Sequence, residues 1–322
     1  MCEGNVHTAR PRTFCGWCAM SCGYIPCIIA MALIAANVVP YHICFLPMLY
    51  TACATGAASY VYYYYCVAMM VFAEVMVYGS LLLAIFTSPS FVPHEPWADA
   101  PIFQGRVVSE NPYEVAELDR TGRLRYCGFC KQFKPDQAHH CHVCHRCVYR
   151  MDHHCPWINN CVGRGNSKYF LLFVGYIPVG AFHIVGTSII SCVFHFPNFF
   201  KSVVADDNNI LTNLVIILSI VFSATMGVCF LAFALHFVCM AYRGQTSVSR
   251  MIASKKHPEE LEQQRKRQAE ERVYYMFDLF GSDQRWHRML LPFAPDHDLR
   301  RAPSSYARRF GGAVDEYMVS LV

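Results

Sequence analysis

The densest concentration of reactive side chains in the sequence lies between residues 127 and 161. This segment holds seven of the 18 cysteines and six of the 15 histidines. Cys-x2-Cys pairs close to histidines supply the sulfur and nitrogen ligands of tetrahedral structural zinc. The spacing indicates two zinc sites, which together need eight ligands. Six cysteines and two histidines supply them, and the seventh cysteine, Cys155, is left over.

Cys155 stands among groups that could activate a thiol. Asp152 and His153 precede it, and the indole of Trp157 follows. The thiolate is the nucleophilic form of cysteine, and a histidine that is oriented by an aspartate can generate it. Asp152, His153 and Cys155 therefore form a candidate catalytic triad within four residues. Zinc sites on either side would hold this short loop rigid.

The segments on both sides of this triad are predicted to be membrane helices. Hydrophobic residues make up 54% of the chain and charged residues only 16%. Residues 13–73, 169–200 and 208–242 contain no Asp, Glu, Lys or Arg, and a soluble fold could not solubilise such surfaces. A spanning helix needs roughly 20 apolar residues. We therefore predict four spans, near residues 24–46, 61–86, 169–193 and 211–240.

The first uncharged stretch is long enough for two spans and must contain a turn. The residues that mark this turn are Pro47, Thr51, Gly56 and Ser59. Glu74 lies inside the second predicted span, where an ionisable side chain is costly and often functional. The alternative is a helix-packing contact or a protonated carboxyl, and the sequence leaves these roles open.

The predicted fold class is an α-helical integral membrane protein with four transmembrane helices. A cytosolic zinc-binding, cysteine-rich domain lies between the second and third helices. Lys and Arg are concentrated in this domain and in the C-terminal tail, so the positive-inside rule predicts that both face the cytosol, with both termini. The predicted divisions are a cytosolic N-terminus (1–23), the first two transmembrane helices (24–86), a cytosolic linker (87–126), the zinc domain (127–168), the third and fourth transmembrane helices (169–240) and a cytosolic tail (241–322).

The segment from Cys127 to Phe170 closely resembles the cysteine-rich domain of the DHHC protein S-acyltransferases, also called palmitoyltransferases. It reads CGFCKQFKPDQAHHCHVCHRCVYRMDHHCPWINNCVGRGNSKYF and carries the family's pattern without a break. The pattern comprises CxxC, KP, HHCxxCxxC, MDHHCPW and NNCVG, then Asn166 with Tyr169 and Phe170. Four spans with this domain between the second and third are also similar to the family.

The resemblance implies a protein S-acyltransferase that moves a long-chain acyl group, palmitoyl, from acyl-coenzyme A to a cysteine of a substrate protein. Cys155 would be the acylated nucleophile, His153 its general base, and Asp152 the residue that orients His153. The two transfers through an acyl-enzyme predict ping-pong kinetics. Trp157 would contact the acyl chain or serve as an interfacial anchor.

The resemblance also implies two structural Zn²⁺ ions and assigns their ligands. Spacing alone leaves His139, His140 and His142 open as the histidine of the first site, and the family selects His140. The first site would comprise Cys127, Cys130, His140 and Cys147. The second would comprise Cys141, Cys144, His154 and Cys161.

Outside this domain the chain departs from the family's pattern. The residues Ser88-Pro89-Ser90 stand where Asp-Pro-Gly follows the second span. After the fourth span, Thr246-Ser247-Val248-Ser249 replaces Thr-Thr-x-Glu. The tail keeps Asp278 of its Asp-Leu-Gly motif and has Arg285 in the Asn position of the following motif. These departures leave open whether the tail keeps the family's contacts with the active-site domain.

The implied partners are acyl-coenzyme A, the lipid bilayer, and cytosolic or membrane-associated substrate proteins with juxtamembrane cysteines. The last three residues, 320–322, could also bind a PDZ domain. The expected location is an endomembrane, Golgi or endoplasmic reticulum, with the plasma membrane as the alternative. A net charge of +4 gives no nucleic-acid signal.

Two other classes of protein remain as alternatives. A membrane-anchored zinc-finger scaffold or RING-type ubiquitin ligase would use the same zinc-binding pairs but needs no spare thiol, so Cys155 and its neighbours argue against it. A channel or transporter is the other alternative, and Glu74 is the only feature of the sequence that favours it.

Overall fold

The computed structural model describes residues 23–103, 105–106, 108, 111–119, 121–196, 199, 210–253, 270–282 and 285–297. The chain divides into two compact units. A cysteine-rich unit comprises Met1–Cys27, Leu82–Phe170 and Phe237–Val322, and a helical unit comprises Ile28–Leu81 and Leu171–His236. The candidate chemistry of residues 127–161 therefore falls entirely within the cysteine-rich unit.

Four stretches of helix in the described part of the chain are long and apolar enough to cross a membrane. They are Ile25–Ala54, Tyr60–Phe86, Ser167–Phe194 and Ile210–Tyr242. The first consists of α1 (Ile25–Pro40), a π-helical turn (Tyr41–Phe45) and α2 (Leu46–Ala54), and the others are α3, α4 and α5. The cysteine-rich segment lies between the second and third stretches, so the predicted helical membrane class is confirmed.

The turn after the first span begins later in the chain than the sequence predicts. Pro47 and Thr51 lie inside α2, whereas Gly56 and Ser59 lie between α2 and α3. Pro47 lies near the start of α2, directly after the π-helical turn, where the regular i→i−4 hydrogen bonds are already interrupted, so its missing N–H costs little. Gly56 ends the helix with φ +76°, a left-handed conformation that glycine adopts without strain.

Two pairs of polar side chains meet inside the helical unit. Ser223 donates a hydrogen bond to the side-chain oxygen of Asn37 at 3.1 Å. Lipid offers no hydrogen-bond partners, so such groups are stable only when they meet inside the bundle. Glu74, whose role the sequence leaves open, lies with Oε1 2.5 Å from Nε2 of His42. This contact links α3 to the π-helical turn and supports the packing alternative for Glu74.

Within its described residues, the cysteine-rich unit contains four separate two-stranded sheets. In the first, β1 (Pro101–Phe103) and β2 (Asn111–Val115) run parallel. The other three are antiparallel hairpins, β3–β4, β5–β6 and β7–β8. Their strands are Tyr126–Cys127, Gln132–Phe133, His139–Cys141, Arg146–Val148, His153–Cys155 and Asn160–Val162. Hairpins of two or three residues are marginal in water, so this unit needs other sources of stability.

Residues 87–126, predicted as a linker, contribute β1, β2 and part of a small core. Trp97 is fully buried, and its Nε1 donates to the Tyr149 hydroxyl at 2.7 Å. The indole also stacks on Tyr113, with ring centroids 5.5 Å apart. This stretch is polar and proline-containing and shows no hydrophobic period, which is why its sequence indicates a connection and not a folded element.

Three short helices follow the fourth span in the described residues. They are α6 (Ser247–Ala253), residues 270–280, here called α7, and α8 (Trp286–Leu290). Lys168 joins the start of α4 to the last of them, because its Nζ donates to the carbonyls of Arg288 at 2.6 Å and Phe293 at 2.8 Å. Within the cysteine-rich unit, residues 285–297 are therefore joined to the start of α4 by specific polar contacts.

Candidate functional site

The first metal-ligand cluster is gathered by two hairpins. Cys127 ends β3, Cys130 lies in the turn that follows, and His140 and Cys147 face each other across β5 and β6. Lys131 follows this Cys-x2-Cys turn with a left-handed φ of +53°. The Nδ1 atom of His140 lies 3.6 Å from the sulfur of Cys127 and 3.2 Å from that of Cys130. These four residues are the ones that the resemblance assigns to the first site.

The second cluster has the same construction one hairpin further along. It comprises Cys141, Cys144, His154 and Cys161, and His154 faces Cys161 across β7 and β8. The Nδ1 atom of His154 lies 3.7, 3.5 and 3.6 Å from the sulfurs of Cys141, Cys144 and Cys161. His145 follows this Cys-x2-Cys turn with φ +52°, as Lys131 does in the first cluster.

Both clusters fit a tetrahedral metal ion. With Zn–S near 2.3 Å and Zn–N near 2.0–2.1 Å, a tetrahedral ion separates sulfur and nitrogen ligands by roughly 3.6 Å. The observed separations run from 3.2 to 3.7 Å. All four ligand atoms of each cluster lie within 4.8 Å of one another. The two clusters could therefore each hold a zinc ion.

The histidines next to His140 have other surroundings. Burial, followed by the charges of Arg125 and Lys134, lowers the pKa of His139 to about 3, so this ring is neutral. The His142 ring packs edge-on against Phe129, with centroids 5.2 Å apart. Neither ring belongs to a metal-ligand cluster among the described residues. The choice of His140, which spacing alone left open, agrees with these contacts.

Strand β7 separates the catalytic candidates from the metal ligand between them. Side chains alternate faces along a β-strand, so His153 and Cys155 share one face and His154 occupies the other. His154 joins the second metal-ligand cluster, which leaves His153 and Cys155 together on the opposite side. The sequence Asp-His-His-Cys thus gives one metal ligand and one thiol–imidazole pair from a three-residue strand.

Asp152 holds the imidazole of His153 in a fixed orientation. The Nδ1 atom of His153 lies 2.7 Å from Oδ2 of Asp152, whose side chain is 2% exposed. With Nδ1–H donated to the carboxylate, Nε2 is left to exchange a proton with the thiol. The ring also packs edge-on against Phe170 and lies near Phe237, with centroids 5.4 and 5.9 Å away. Apolar packing and one strong hydrogen bond therefore fix this ring.

The electrostatics of the pair favour the charged form of His153. Burial lowers the pKa of the imidazole, but its hydrogen bonds with Asp152 and Cys155 and their negative charges outweigh burial and raise the pKa to about 9. The ring therefore keeps a proton near neutral pH, next to the thiol of Cys155. An imidazolium beside a thiolate is the arrangement of an activated cysteine nucleophile.

Ser247 contacts the triad, and its role was not foreseen from the sequence. Its backbone N–H donates to Oδ1 of Asp152 at 2.7 Å, and its hydroxyl donates to Oδ2 at 3.0 Å. The residue stands where the family pattern has threonine, so the retained hydroxyl was the available signal. The segment after the fourth span therefore does contact Asp152, directly before β7, although its motif departs from the family's.

Two asparagines join the end of α3 to the domain. Asn160 donates from Nδ2 to the carbonyl of Thr87 at 2.9 Å and to those of Ala84 and Ile85 at 3.3 and 3.2 Å. Asn166 donates from Nδ2 to the carbonyl of Ala84 at 3.2 Å. The last carbonyls of a helix have no helical partner, and these side-chain amides supply donors for them. Both contacts set where β8 lies relative to the end of the second span.

Two further positions bear on earlier expectations. Trp157, the candidate acyl contact, is 47% exposed in the short 3-10 turn Pro156–Ile158 that follows Cys155. Ser90 stands in place of the family's glycine and still adopts a left-handed φ of +64°. The backbone shape of that turn is thus kept without glycine.

Comparison with known proteins agrees with this geometry. Residues 120–254 match the family model described as DHHC palmitoyltransferase. Palmitoyltransferase ZDHHC3-A from Danio rerio is 49% identical over 83 residues, which are 26% of this chain and 25% of that protein. Palmitoyltransferase ZDHHC2 from Homo sapiens is 48% identical over 69 residues, 21% of this chain and 19% of that protein.

A third relative, palmitoyltransferase spe-10 from Caenorhabditis elegans, is 48% identical over 84 residues, 26% of this chain and 24% of that protein. The chain thus aligns with about a quarter or less of the length of these curated relatives. The expected resemblance to DHHC-type S-acyltransferases is confirmed for the matched segment.

Proposed function

We propose that this chain, in which residues 120–254 form a DHHC palmitoyltransferase domain, transfers a long-chain acyl group from acyl-coenzyme A to cysteines of substrate proteins. One observation carries the proposal. Eight Cys and His side chains of residues 127–161 gather into two metal-ligand clusters, and Cys155 stays outside both, beside a histidine that is bound to an aspartate. A purely structural zinc domain has no use for that pair.

The first step loads the enzyme. The thiolate of Cys155 attacks the carbonyl carbon of the acyl-coenzyme A thioester, so a new S–C bond forms and the bond from that carbon to the coenzyme A sulfur breaks. The departing thiolate takes the proton of the His153 imidazolium and leaves as coenzyme A. His153 is then neutral, and its Nδ1–H remains bound to Asp152.

The second step transfers the acyl group from Cys155 to the substrate protein. The thiol of a substrate cysteine gives its proton to Nε2 of His153 as its sulfur attacks the acyl carbon on Cys155. The bond between that carbon and Cys155 breaks, and Cys155 returns to the thiolate. The imidazolium–thiolate pair is restored, which supports the ping-pong order.

Two structural zinc ions would supply the rigidity of this site. They would be held by Cys127, Cys130, His140 and Cys147, and by Cys141, Cys144, His154 and Cys161, whose spacing fits tetrahedral coordination. Hairpins β5–β6 and β7–β8 bear most of these ligands and also His153 and Cys155, and Asp152 directly precedes β7. The metal-bound hairpins would thus keep Cys155 and His153 on one face of β7.

The finer parts of the proposal concern partners and location. The acyl donor is palmitoyl-coenzyme A or a similar thioester, with Trp157 as an acyl contact. The acceptors are cytosolic or membrane-associated proteins with juxtamembrane cysteines. The active site and both termini face the cytosol on an endomembrane of the Golgi or endoplasmic reticulum. The suggested PDZ-binding residues, 320–322, lie outside the described part of the chain.

The test uses the purified full chain in nanodiscs with labelled palmitoyl-coenzyme A. We expect one hydroxylamine-labile acyl group, mapped to Cys155 by mass spectrometry, which passes to a cysteine peptide when that peptide is added. Cys155→Ser should abolish the label, whereas Cys44→Ser, in the first span, should keep it. Folded protein with its zinc that acquires no label on Cys155 would instead support a zinc-binding scaffold.

A further inference from the structure

Arg150 lies two residues before Asp152, in an unusual backbone conformation. Its φ is +45°, in the left-handed region that large side chains rarely adopt. The turn around it is held by backbone hydrogen bonds, from Tyr149 N–H to the carbonyl of Ser90 at 2.9 Å and from Arg164 N–H to the carbonyl of Tyr149 at 3.0 Å. A strained residue persists only where its surroundings determine its position.

The side chain of Arg150 is held by a buried carboxylate of the C-terminal segment. Its Nε lies 2.7 Å from Oδ2 of Asp278, and both side chains are only 3% exposed. The other oxygen of Asp278 accepts a hydrogen bond from Nε of Arg164 at 2.9 Å. One aspartate on α7 therefore bridges two arginines that flank the β7–β8 hairpin in the sequence.

Other contacts fix α7 against the same region. The guanidinium of Arg150 lies over the ring of Tyr275, 5.0 Å from its centroid. Burial of the Tyr275 phenol, with the nearby charge of Asp152 as the next cause, raises its pKa above its ordinary value. Gly244 allows α7 to approach closely, because a Cβ there would lie 2.4 Å from the backbone nitrogen of Arg272.

We propose that Arg150 and Asp278 are positioning residues for the acyl-transfer triad, and that α7 controls the rate of acyl loading through this ion pair. The inference rests on the proposed function. Asp278 holds the Arg150 side chain, and Arg150 sets the turn from which the chain continues through Asp152 and His153. When the pair is broken, the turn loses its side-chain anchor on α7 and shifts the imidazole away from Cys155. The substrate-binding surfaces themselves are unchanged.

The experiment measures single-turnover acyl loading of the full chain in nanodiscs over a range of palmitoyl-coenzyme A concentrations. Asp278→Asn keeps the size of the side chain but removes its charge. Arg150→Asn removes the ion pair while keeping a residue that tolerates a left-handed φ. For both variants we expect the saturating rate constant to fall at least tenfold, with the half-saturating concentration within twofold of wild type and the zinc content unchanged. Asp278→Glu, which keeps the carboxylate, should recover part of the rate.

The matched control is Arg125→Gln in the same unit. Arg125 also forms an ion pair, 2.6 Å from Glu117, and donates to the carbonyl of Ala138 at 3.2 Å, but no contact between it and the triad is observed in the described residues. Its loading rate should stay within threefold of wild type. The inference is overturned if Asp278→Asn and Arg150→Asn load at the wild-type rate, or if Arg125→Gln loses as much rate as they do. Loss of zinc together with rate in both variants also overturns it.

The failure of this inference differs from the failure of the proposed function. If wild-type protein forms no acyl thioester on Cys155, the enzymatic function itself is wrong. If wild type loads and the Asp278 and Arg150 variants load equally well, only the positioning role is wrong.

Discussion

Replacement of Ser247 by alanine should slow acyl loading of Cys155 by about tenfold. The Asp152 carboxylate is buried and accepts three observed hydrogen bonds, from His153 Nδ1, from the Ser247 backbone N–H and from the Ser247 hydroxyl. Ser247→Ala removes the last of these, which is 3.0 Å long. A hydrogen bond to a charged group contributes about 1.5–3 kcal/mol.

The expected rate follows from that energy. About 1.4 kcal/mol corresponds to tenfold, so complete loss would slow the reaction by roughly 10- to 150-fold. Two donors remain on the carboxylate, and the backbone donor from residue 247 is among them. The loss of rate should therefore lie near tenfold, the lower end of this range, because Asp152 stays bound but is less firmly oriented.

The assay is single-turnover formation of the Cys155 thioester at saturating palmitoyl-coenzyme A, with the thermal midpoint measured in parallel. Ser247→Thr keeps a hydroxyl and should retain most of the rate. Ser249→Ala is the matched control, because the Ser249 hydroxyl accepts from Thr246 N–H at 2.8 Å in the same turn and has no observed bond to Asp152. A Ser247→Ala rate within twofold of wild type, or an equal loss in Ser249→Ala, would refute the reasoning.

Three further changes test the surroundings of the site. Cys161→Ser should lower the zinc content from two ions to one per chain and make residues 127–161 sensitive to protease. The reason is that each structural zinc contributes on the order of 10 kcal/mol to folding. An unchanged zinc content would contradict the second metal-ligand cluster. Trp97→Phe removes the buried 2.7 Å hydrogen bond to Tyr149 and should reduce the free energy of unfolding by about 1–3 kcal/mol, measured by denaturant titration in detergent. Adding Tyr149→Phe to Trp97→Phe should reduce the free energy of unfolding little further, because the bond is already lost. Asn160→Ala leaves carbonyls at the end of α3 without this donor and should lower the thermal midpoint, whereas a midpoint equal to wild type would show that other donors replace the amide.

Several properties of this protein follow from its sequence alone. Uncharged stretches of this length can only be buried in lipid or in a large apolar core, so four spans could be predicted without coordinates. The number of thiols and their Cys-x2-Cys spacing indicated two metal sites and one spare cysteine, because metal coordination limits which side chains serve and how many are needed. Local patterns are enough for such conclusions, since they depend on residue type and near neighbours.

Other properties required distant parts of the chain to meet. Pro47 was expected to break a helix, yet it lies near the start of α2, directly after a π-helical turn that already interrupts the regular hydrogen bonds. Trp97 was predicted to lie in a linker, whereas its bond to Tyr149 and its stacking on Tyr113 show that this stretch is folded. Neither outcome is visible in a window of neighbouring residues.

The active site also has features that the sequence predicts and features that only the tertiary structure determines. Asp152, His153 and Cys155 are adjacent in the chain, so the sequence could nominate them. The assignment of His154 to a metal-ligand cluster and of His153 to the thiol depends on the strand geometry of β7, which turns alternate residues to opposite faces. The contacts of Ser247 with Asp152 and of Asp278 with Arg150 join residues about 95 and 128 positions apart, and only tertiary packing determines which polar groups meet over such separations.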